Sequence, residues 1–326
     1  MSKMITVRDA LNEAMREELQ LDEKVFLIGE EVAEYNGAYK ISKGLLDEFG
    51  PERIIDTPIS EMGFAGMAVG ASFLGQRPIV EFMSFNFSMQ AIDQVINSAA
   101  KTRYMSGGQI ACPIVFRGPN GSAARVGAQH SQCYASWYAH CPGLHVLAPY
   151  SPADAKGLLK AAIRSNDPII FLEHELLYGL QGEVHGPEHC EPFKAVVEKE
   201  GTDITITAFS FVLGKALEAA KILEEKGINA EVINMRVLRP FDIESLTQSV
   251  MKTNHLLCVE EGWPVASMAS EQAMLVMEHC FDYLDAPVAR LCGVDVPLPY
   301  AVNLETLSLP QVDDIVQAAE KVLGKK

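Results

Sequence analysis

The chain predicts an α/β protein built from two doubly wound domains. Apolar runs of strand length alternate with helical stretches along the whole sequence, a glycine- and proline-rich stretch from Tyr178 to Pro192 interrupts the alternation, and 326 residues at 48% hydrophobic suit two sizeable cores. Strands alternating with helices imply parallel pairing through right-handed crossovers. Reading the interruption as a linker sets the domains at 1–185 and 186–326.

Each element has a local reason. Thr6 can cap a helix running to about Gln20, with Leu11, Met15 and Leu19 four apart on one face. Val25 to Gly29 is a short buried strand, and Ile41 to Phe49 a helix stopped by Gly50-Pro51. Ile54-Ile55 is a strand stopped by Thr57-Pro58, because proline cannot donate to a ladder and presets a first helical turn. A helix from Glu61 to Leu74, a strand from Pro78 to Met83 and a long helix from Asn86 to Met105 come next. Pro113 to Phe116, Leu144 to Ala148 and Pro168 to Leu172 read as strands, the last two separated by a helix from Ala153 to Arg164. The second series has strands at Ile204–Phe209, Ala230–Asn234, Leu256–Glu260 and Val288–Leu291, with helices at Leu213–Lys226, Ile243–Met251 and Ala266–His279.

Composition excludes several classes. No run of 18 apolar residues exists, so no membrane-spanning helix is expected. The net charge of −16, with no Lys/Arg cluster, argues against nucleic acid. The seven cysteines are odd in number and lack any Cys-x-x-Cys pair, so they read as reduced core residues. Met-Ser-Lys-Met-Ile-Thr lacks both an apolar leader and an Arg- and Ser-rich one, which predicts bacterial cytoplasm, or the mitochondrial matrix if the source is eukaryotic. No Gly-x-Gly-x-x-Gly and no Walker loop succeeds a strand.

Two places could carry chemistry. Glu61 opens a helix among Ile59, Met62, Phe64 and Met67, and apolar surroundings would raise its pKa. A first-turn Glu complementing the helix dipole is the plainer reading, and both stand at this level. The spacing Gly63-x-x-Gly66-x-x-x-Gly70 suggests close helix packing. The loop Arg117 to Gln132 carries His130 between Gln129 and Gln132; histidine suits acid–base work, though a solvated loop His fits the residue types equally.

The segments Gly29-Glu30-Glu31-Val32, Asp56 to Gly66, Glu81 to Gln94, Gln129-His130-Ser131-Gln132 and Val232 to Arg236 resemble the beta subunits of the pyruvate dehydrogenase decarboxylase component, in order and over essentially the whole chain. The resemblance implies a transketolase-like pyrimidine-binding domain succeeded by a transketolase C-terminal-like domain. It also implies thiamine diphosphate as cofactor. Glu61 matches the glutamate that hydrogen-bonds N1′ of the aminopyrimidine and promotes deprotonation at the thiazolium C2. Phe87 matches an aromatic stacked on the pyrimidine, with a core Phe as the alternative. Ile59 and Gln90 would line the same pocket, Glu30 matches an acid on the channel toward the partner active site, and His130 matches a histidine that assists acetyl transfer to lipoamide.

The family's Gly-Asp-Gly diphosphate and magnesium motif is missing from the chain, since Gly293-Val294-Asp295 is not equivalent. The resemblance therefore assigns Mg2+ mainly to an alpha subunit in an α2β2 heterotetramer. It further implies a potassium ion on backbone carbonyls of Ile114, Ala162, Ser165 and Asp167, although Ser165 stands where the pattern has Asp. The expected activity is oxidative decarboxylation of pyruvate, with transfer of the acetyl group to a lipoyl-lysine of the dihydrolipoamide acetyltransferase core, docked through the C-terminal domain. Beta subunits acting on branched-chain 2-oxo acids or acetoin are the alternative substrate class. A non-catalytic docking subunit is the alternative of another kind, and an autonomous thiamine enzyme is disfavoured by the missing motif.

Overall fold

The structure is a computed structural model that describes residues 2–184, 186 and 193–325. It divides into two compact units: residues 1–120 with 137–193, and residues 121–136 with 194–326. The transfer of 121–136 to the second unit has no counterpart in a single boundary near residue 185.

The first unit contains β1 (Lys3–Thr6), α1 (Val7–Leu21), β2 (Val25–Gly29), α2 (Leu45–Phe49), β3 (Ile54–Asp56), α3 (Glu61–Phe73), β4 (Arg77–Glu81), α4 (Ala100–Met105) and β5 (Val115–Pro119). After α5 (Ala135–Ala139) come β6 (His145–Leu147), α6 (Pro152–Arg164), β7 (Ile169–Glu173) and β8 (Gln181–Val184). Its main strands lie in the order β6-β7-β5-β4-β2-β3 and are all parallel. The predicted α/β class and parallel winding therefore hold.

Local rules explain most ends. Thr6 Oγ1 accepts from Asp9 N at 3.1 Å to start α1, which buries Val7, Leu11, Met15 and Leu19. Each such burial is worth about 1.5–3 kcal/mol. Ser151 and Asp154 form a capping box on α6, with Pro152 at its start. Helices α1 and α6 are joined by a ladder of charge: Lys156 Nζ lies 2.7 Å from Glu17, the fully buried Lys160 2.7 Å from Glu17, and Arg164 2.7 Å from Glu18.

Three sequence expectations are corrected. The helix predicted from Asn86 to Met105 is three windings in succession: a 3-10 segment Phe85–Ala91, a π segment Gln94–Ala99, and α4. The three-residue period turns Phe85, Ser88 and Ala91 to one buried face. The helix predicted from Ile41 begins only at Leu45, because Gly44 has φ +79°. Part of the supposed linker, Gln181–Val184, is a strand that pairs antiparallel with β1. Neither strand shows clean alternation, which hid both. Residues 185 and 187–192 of that stretch lie outside the described residues.

The second unit contains β9 (Val196–Lys199), β10 (Ile204–Ala208), α7 (Phe211–Glu225), β11 (Ala230–Asn234), β12 (Val237–Arg239), α8 (Ile243–Thr253), β13 (Leu256–Val259), α9 (Met268–His279), β14 (Ala289–Leu291), α10 (Val302–Leu307) and α11 (Val312–Val322). Its sheet order is β14-β13-β10-β11-β9, parallel except for the edge strand β9. Helix α9 starts at Met268 rather than Ala266, which holds φ +53°.

Candidate active site

Ligands of open parallel sheets gather at the carboxyl ends of the strands. In the first unit Gly29 at the end of β2 stands opposite both Asp56 of β3 and Glu81 of β4. A Cβ on Gly29 would sit 2.5 Å from the Glu81 carbonyl oxygen, so the strands approach this closely only with glycine there. Glu30 is the next residue. Its loop is tied to the loop after β3: Asp56 accepts from Ala33 N at 2.7 Å and from Glu34 N at 3.1 Å, and Thr57 N donates to the Gly29 carbonyl at 3.0 Å. Glu61 is the first residue of α3.

These ties bury two carboxyl groups against each other. Glu30 is 4% exposed and Glu61 7%. Burial, then the charge of Glu61, then a hydrogen bond with Glu61 push the Glu30 carboxyl up to about 7. Glu30 Oε1 is buried without a hydrogen-bond partner. The pair thus holds a proton near neutral pH at the dipole-positive start of a helix. This corrects the picture of a lone Glu61 among apolar side chains. Ile59 is 84% exposed, and Met62 and Met67 also face outward, because the buried stripe of α3 is Glu61, Phe64, Ala65, Ala68, Val69 and Ser72. The close neighbour of Glu61 is a second acid.

The glycine spacing is likewise only partly a packing device. Gly66 faces the Gln94 side chain, with a Cβ position 3.3 Å away, whereas nothing lies within 4 Å at Gly70. Phe87 and Gln90 sit on the 3-10 segment that packs beside α3, Phe87 half-buried and Gln90 exposed. Ser84 Oγ accepts from Asn86 N at 3.4 Å and so opens that segment. His130 lies in the second unit, on a short turn Ala128–His130, half-buried, with its N–H donating to Gly127 O at 3.2 Å.

All four expected potassium carbonyls already accept hydrogen bonds, Asp167 O from Ser165 Oγ at 3.3 Å. Ile114 O accepts from Ile169 N at 2.9 Å, Ala162 O from Ser165 N at 3.1 Å, and Ser165 O from the Arg77 guanidinium at 2.9 Å. Arg77 brings positive charge to Ser165, so that carbonyl does not fit a cation cage. Among the described residues no group of three or more His, Cys, Asp or Glu is arranged to hold a metal.

Sequence reasoning missed the layer beneath the pair. Arg117 on β5 is fully buried, with Nε 2.5 Å and Nη2 2.7 Å from the Glu173 carboxylate, a further bond to Glu81, and Tyr178 donating to Glu173 at 2.8 Å. The signal was present: Glu81 and Glu173 end strands whose preceding residues are apolar, and Arg117 stands inside a third. Removing Arg117 would strand two buried carboxylates, at a cost of about 3–5 kcal/mol.

The transketolase pyrimidine-binding domain family matches residues 3–181, and the transketolase C-terminal domain family residues 193–315. Pyruvate dehydrogenase E1 component subunit beta-1, mitochondrial, of Oryza sativa subsp. japonica is 62% identical over 325 residues, covering 98% of this chain and 87% of that protein. The mitochondrial E1 beta subunit of Homo sapiens is 58% identical, covering 98% and 91%. The chain belongs to the pyruvate dehydrogenase E1 beta-subunit family. A solved split-gene transketolase, described as an inactive beta4 tetramer, matches this E1 beta chain with TM-score 0.80 at 25% identity over 99% of each. In this E1 beta-family chain the family ranges coincide with the two series of strands and helices, and no helix among the described residues is long and apolar enough to cross a membrane.

Proposed function

We propose that this chain is the beta subunit of a thiamine-diphosphate-dependent pyruvate dehydrogenase (acetyl-transferring), active only with an alpha subunit. The observation that carries the reading is the buried Glu30–Glu61 pair at the carboxyl edge of a parallel sheet, holding a proton near neutral pH. Thiamine diphosphate, when bound, supplies a thiazolium carbon that adds to a 2-oxo acid carbonyl and takes up the electrons of the broken carbon–carbon bond. Glu61 would hydrogen-bond the aminopyrimidine ring nitrogen, with the proton held on Glu30 close behind it. The unpartnered Oε1 of Glu30 leaves an oxygen free to hydrogen-bond a group arriving from the other side. Phe87 and Ile59 offer apolar surface to the ring, and Gln90 a polar edge. His130 would serve as the acid–base group when the two-carbon unit passes to the oxidised lipoyl disulfide: the S–S bond opens, one sulfur takes the acyl group, the other leaves as a thiol protonated from His130, and the disulfide is the two-electron oxidant. The diphosphate and Mg2+ belong with the alpha subunit, because this chain carries no Gly-Asp-Gly motif.

Two surfaces support the partners. The outward face of α3 exposes Met62 and Met67 beside Gly63 and Gly70, with Ile59 exposed before the helix and Leu74 after it, a face that an alpha subunit sharing the site would cover in an α2β2 heterotetramer. In the second unit a pocket of about 760 Å³, lined by Met274, Met277, Phe281, Leu284, Asp285 and Arg290, is the seat for the acetyltransferase core's binding domain. Six free cysteines among the described residues fit a reducing compartment. The relatives named above are mitochondrial.

The test is a panel of 2-oxo acids on the complex co-expressed with its alpha subunit. Pyruvate should be preferred, and Glu61→Ala should abolish C2 proton exchange of bound cofactor while leaving assembly intact. Preference for a branched-chain substrate or acetoin would overturn the substrate, and unchanged exchange would favour a docking role without catalysis.

A further inference from the structure

We propose that Glu261 is a positioning residue that sets where His130 stands. The inference rests on reading His130 as the acid–base group of acyl transfer, and every contact it uses lies within the second unit.

His130 belongs to a loop closed at its base by Gly121 N donating to Gln132 O at 2.9 Å. The loop's base is buried at Gly121, Ser122, Ala123 and Ser131, while residues 124–126, 128 and 129 are exposed. The base is thus the buried part of the loop, and it fixes the backbone at Ser131, the neighbour of His130. Glu261 grips that base at two adjacent residues. Ser122 Oγ donates to Glu261 Oε2 at 2.9 Å. The other carboxylate oxygen, Oε1, occupies the space of the missing Gly121 side chain, and a Cβ there would overlap it. Gly121 has φ +86°, so its backbone demands glycine, and any added side chain would push the Glu261 carboxylate out of its place.

Glu261 is itself held by the sheet. It lies just past the end of β13, and its carbonyl oxygen presses on the Cβ position of Gly293, just beyond β14. Gly293 N then donates to Gly262 O at 2.9 Å. The gripping side chain thus stands on two strand ends, and its other end closes on the loop that carries His130. Ser131, next to His130, lines the same narrow cleft as Gly121, Ser122 and Glu261.

The experiment uses the assembled complex and measures two reactions in parallel: decarboxylation to an artificial electron acceptor, and acyl transfer to a free lipoyl domain. Glu261→Ala should lower transfer by about tenfold or more, the usual cost of a displaced catalytic group, and leave decarboxylation unchanged. Glu261→Gln keeps an oxygen for Ser122 and should retain most transfer. Gly121→Ala should also lose transfer, and should cost less in the Glu261→Ala background, where the overlap with the carboxylate is gone and only the strain of φ +86° remains. Adding Glu261→Ala to His130→Ala should give no further loss, because the two act through one group. Hydrogen exchange at amides 121–132 should rise in Glu261→Ala and stay normal in Glu261→Gln. Wild-type transfer in Glu261→Ala, equal loss of both reactions, or full additivity with His130→Ala overturns the proposal. If His130→Ala alone transfers normally, the acyl-transfer reading falls, and the exchange data then decide by themselves whether Glu261 anchors the loop.

Discussion

Two buried carboxyl groups facing each other resist being charged together, and Glu30 and Glu61 are such a pair. The folded chain keeps a proton on Glu30 up to about pH 7, whereas the ordinary carboxyl value is 4.5. Between those values the folded state binds more protons than the unfolded state, so stability is highest at the acid end and is lost as pH rises through 7. Glu30→Gln should therefore flatten the fall of melting temperature between pH 5 and 7. Some slope should survive, because Glu260 in the second unit is also buried and pushed up to about 7. An unchanged slope in Glu30→Gln would mean that the pair is not coupled. For catalysis the same pairing means that a proton is on hand without any histidine nearby in sequence.

Helix α3 works on two faces at once. Its buried stripe places Glu61 against Glu30, and its outward face shows methionines and glycines to the surroundings. Exposed apolar residues at helical spacing on one face mark a surface that wants covering. Met67 is 63% exposed, so Met67→Asp should change the stability of the isolated chain by no more than about 0.5 kcal/mol. The same change should abolish co-purification with the alpha subunit, since it puts an unpaired charge into the contact. Retained assembly would move the partner's seat off this helix. The wide-wound segment Gln94–Ala99 belongs to the same arrangement, because it leaves the Gln94 side chain lying on Gly66 of α3.

The molecule as a whole carries a net charge of −16. Such a field speeds encounter with a basic partner and is screened by salt. Association with the acetyltransferase core's binding domain should therefore slow by about tenfold or more between low and high ionic strength, with dissociation much less affected. Stopped-flow mixing at several salt concentrations would measure it, and a salt-independent association rate would point to a neutral docking surface.

The residue pattern by itself determined the α/β class, the parallel winding and the order of most elements, because alternation of apolar strands with helices is a local property. It also determined the family, whose motifs stand at Glu30, Asp56 to Gly66 and Glu81 to Gln94, and it brought Glu61 and His130 forward. Three things were decided only by tertiary structure. The partner of Glu61 was one, since Glu30 and Glu61 lie far apart in sequence and meet only because β2 and β3 pair in register at Gly29 and Asp56. The antiparallel pair of β1 and β8 was another, because neither short strand carries an alternating pattern of its own. The last was the home of the His130 loop: residues 121–136 lie between strands of the first unit in sequence yet pack with the second, held by Glu261 at Gly121 and Ser122. Local pattern reports what a segment can become, whereas burial and charge pairing depend on which distant segment arrives beside it.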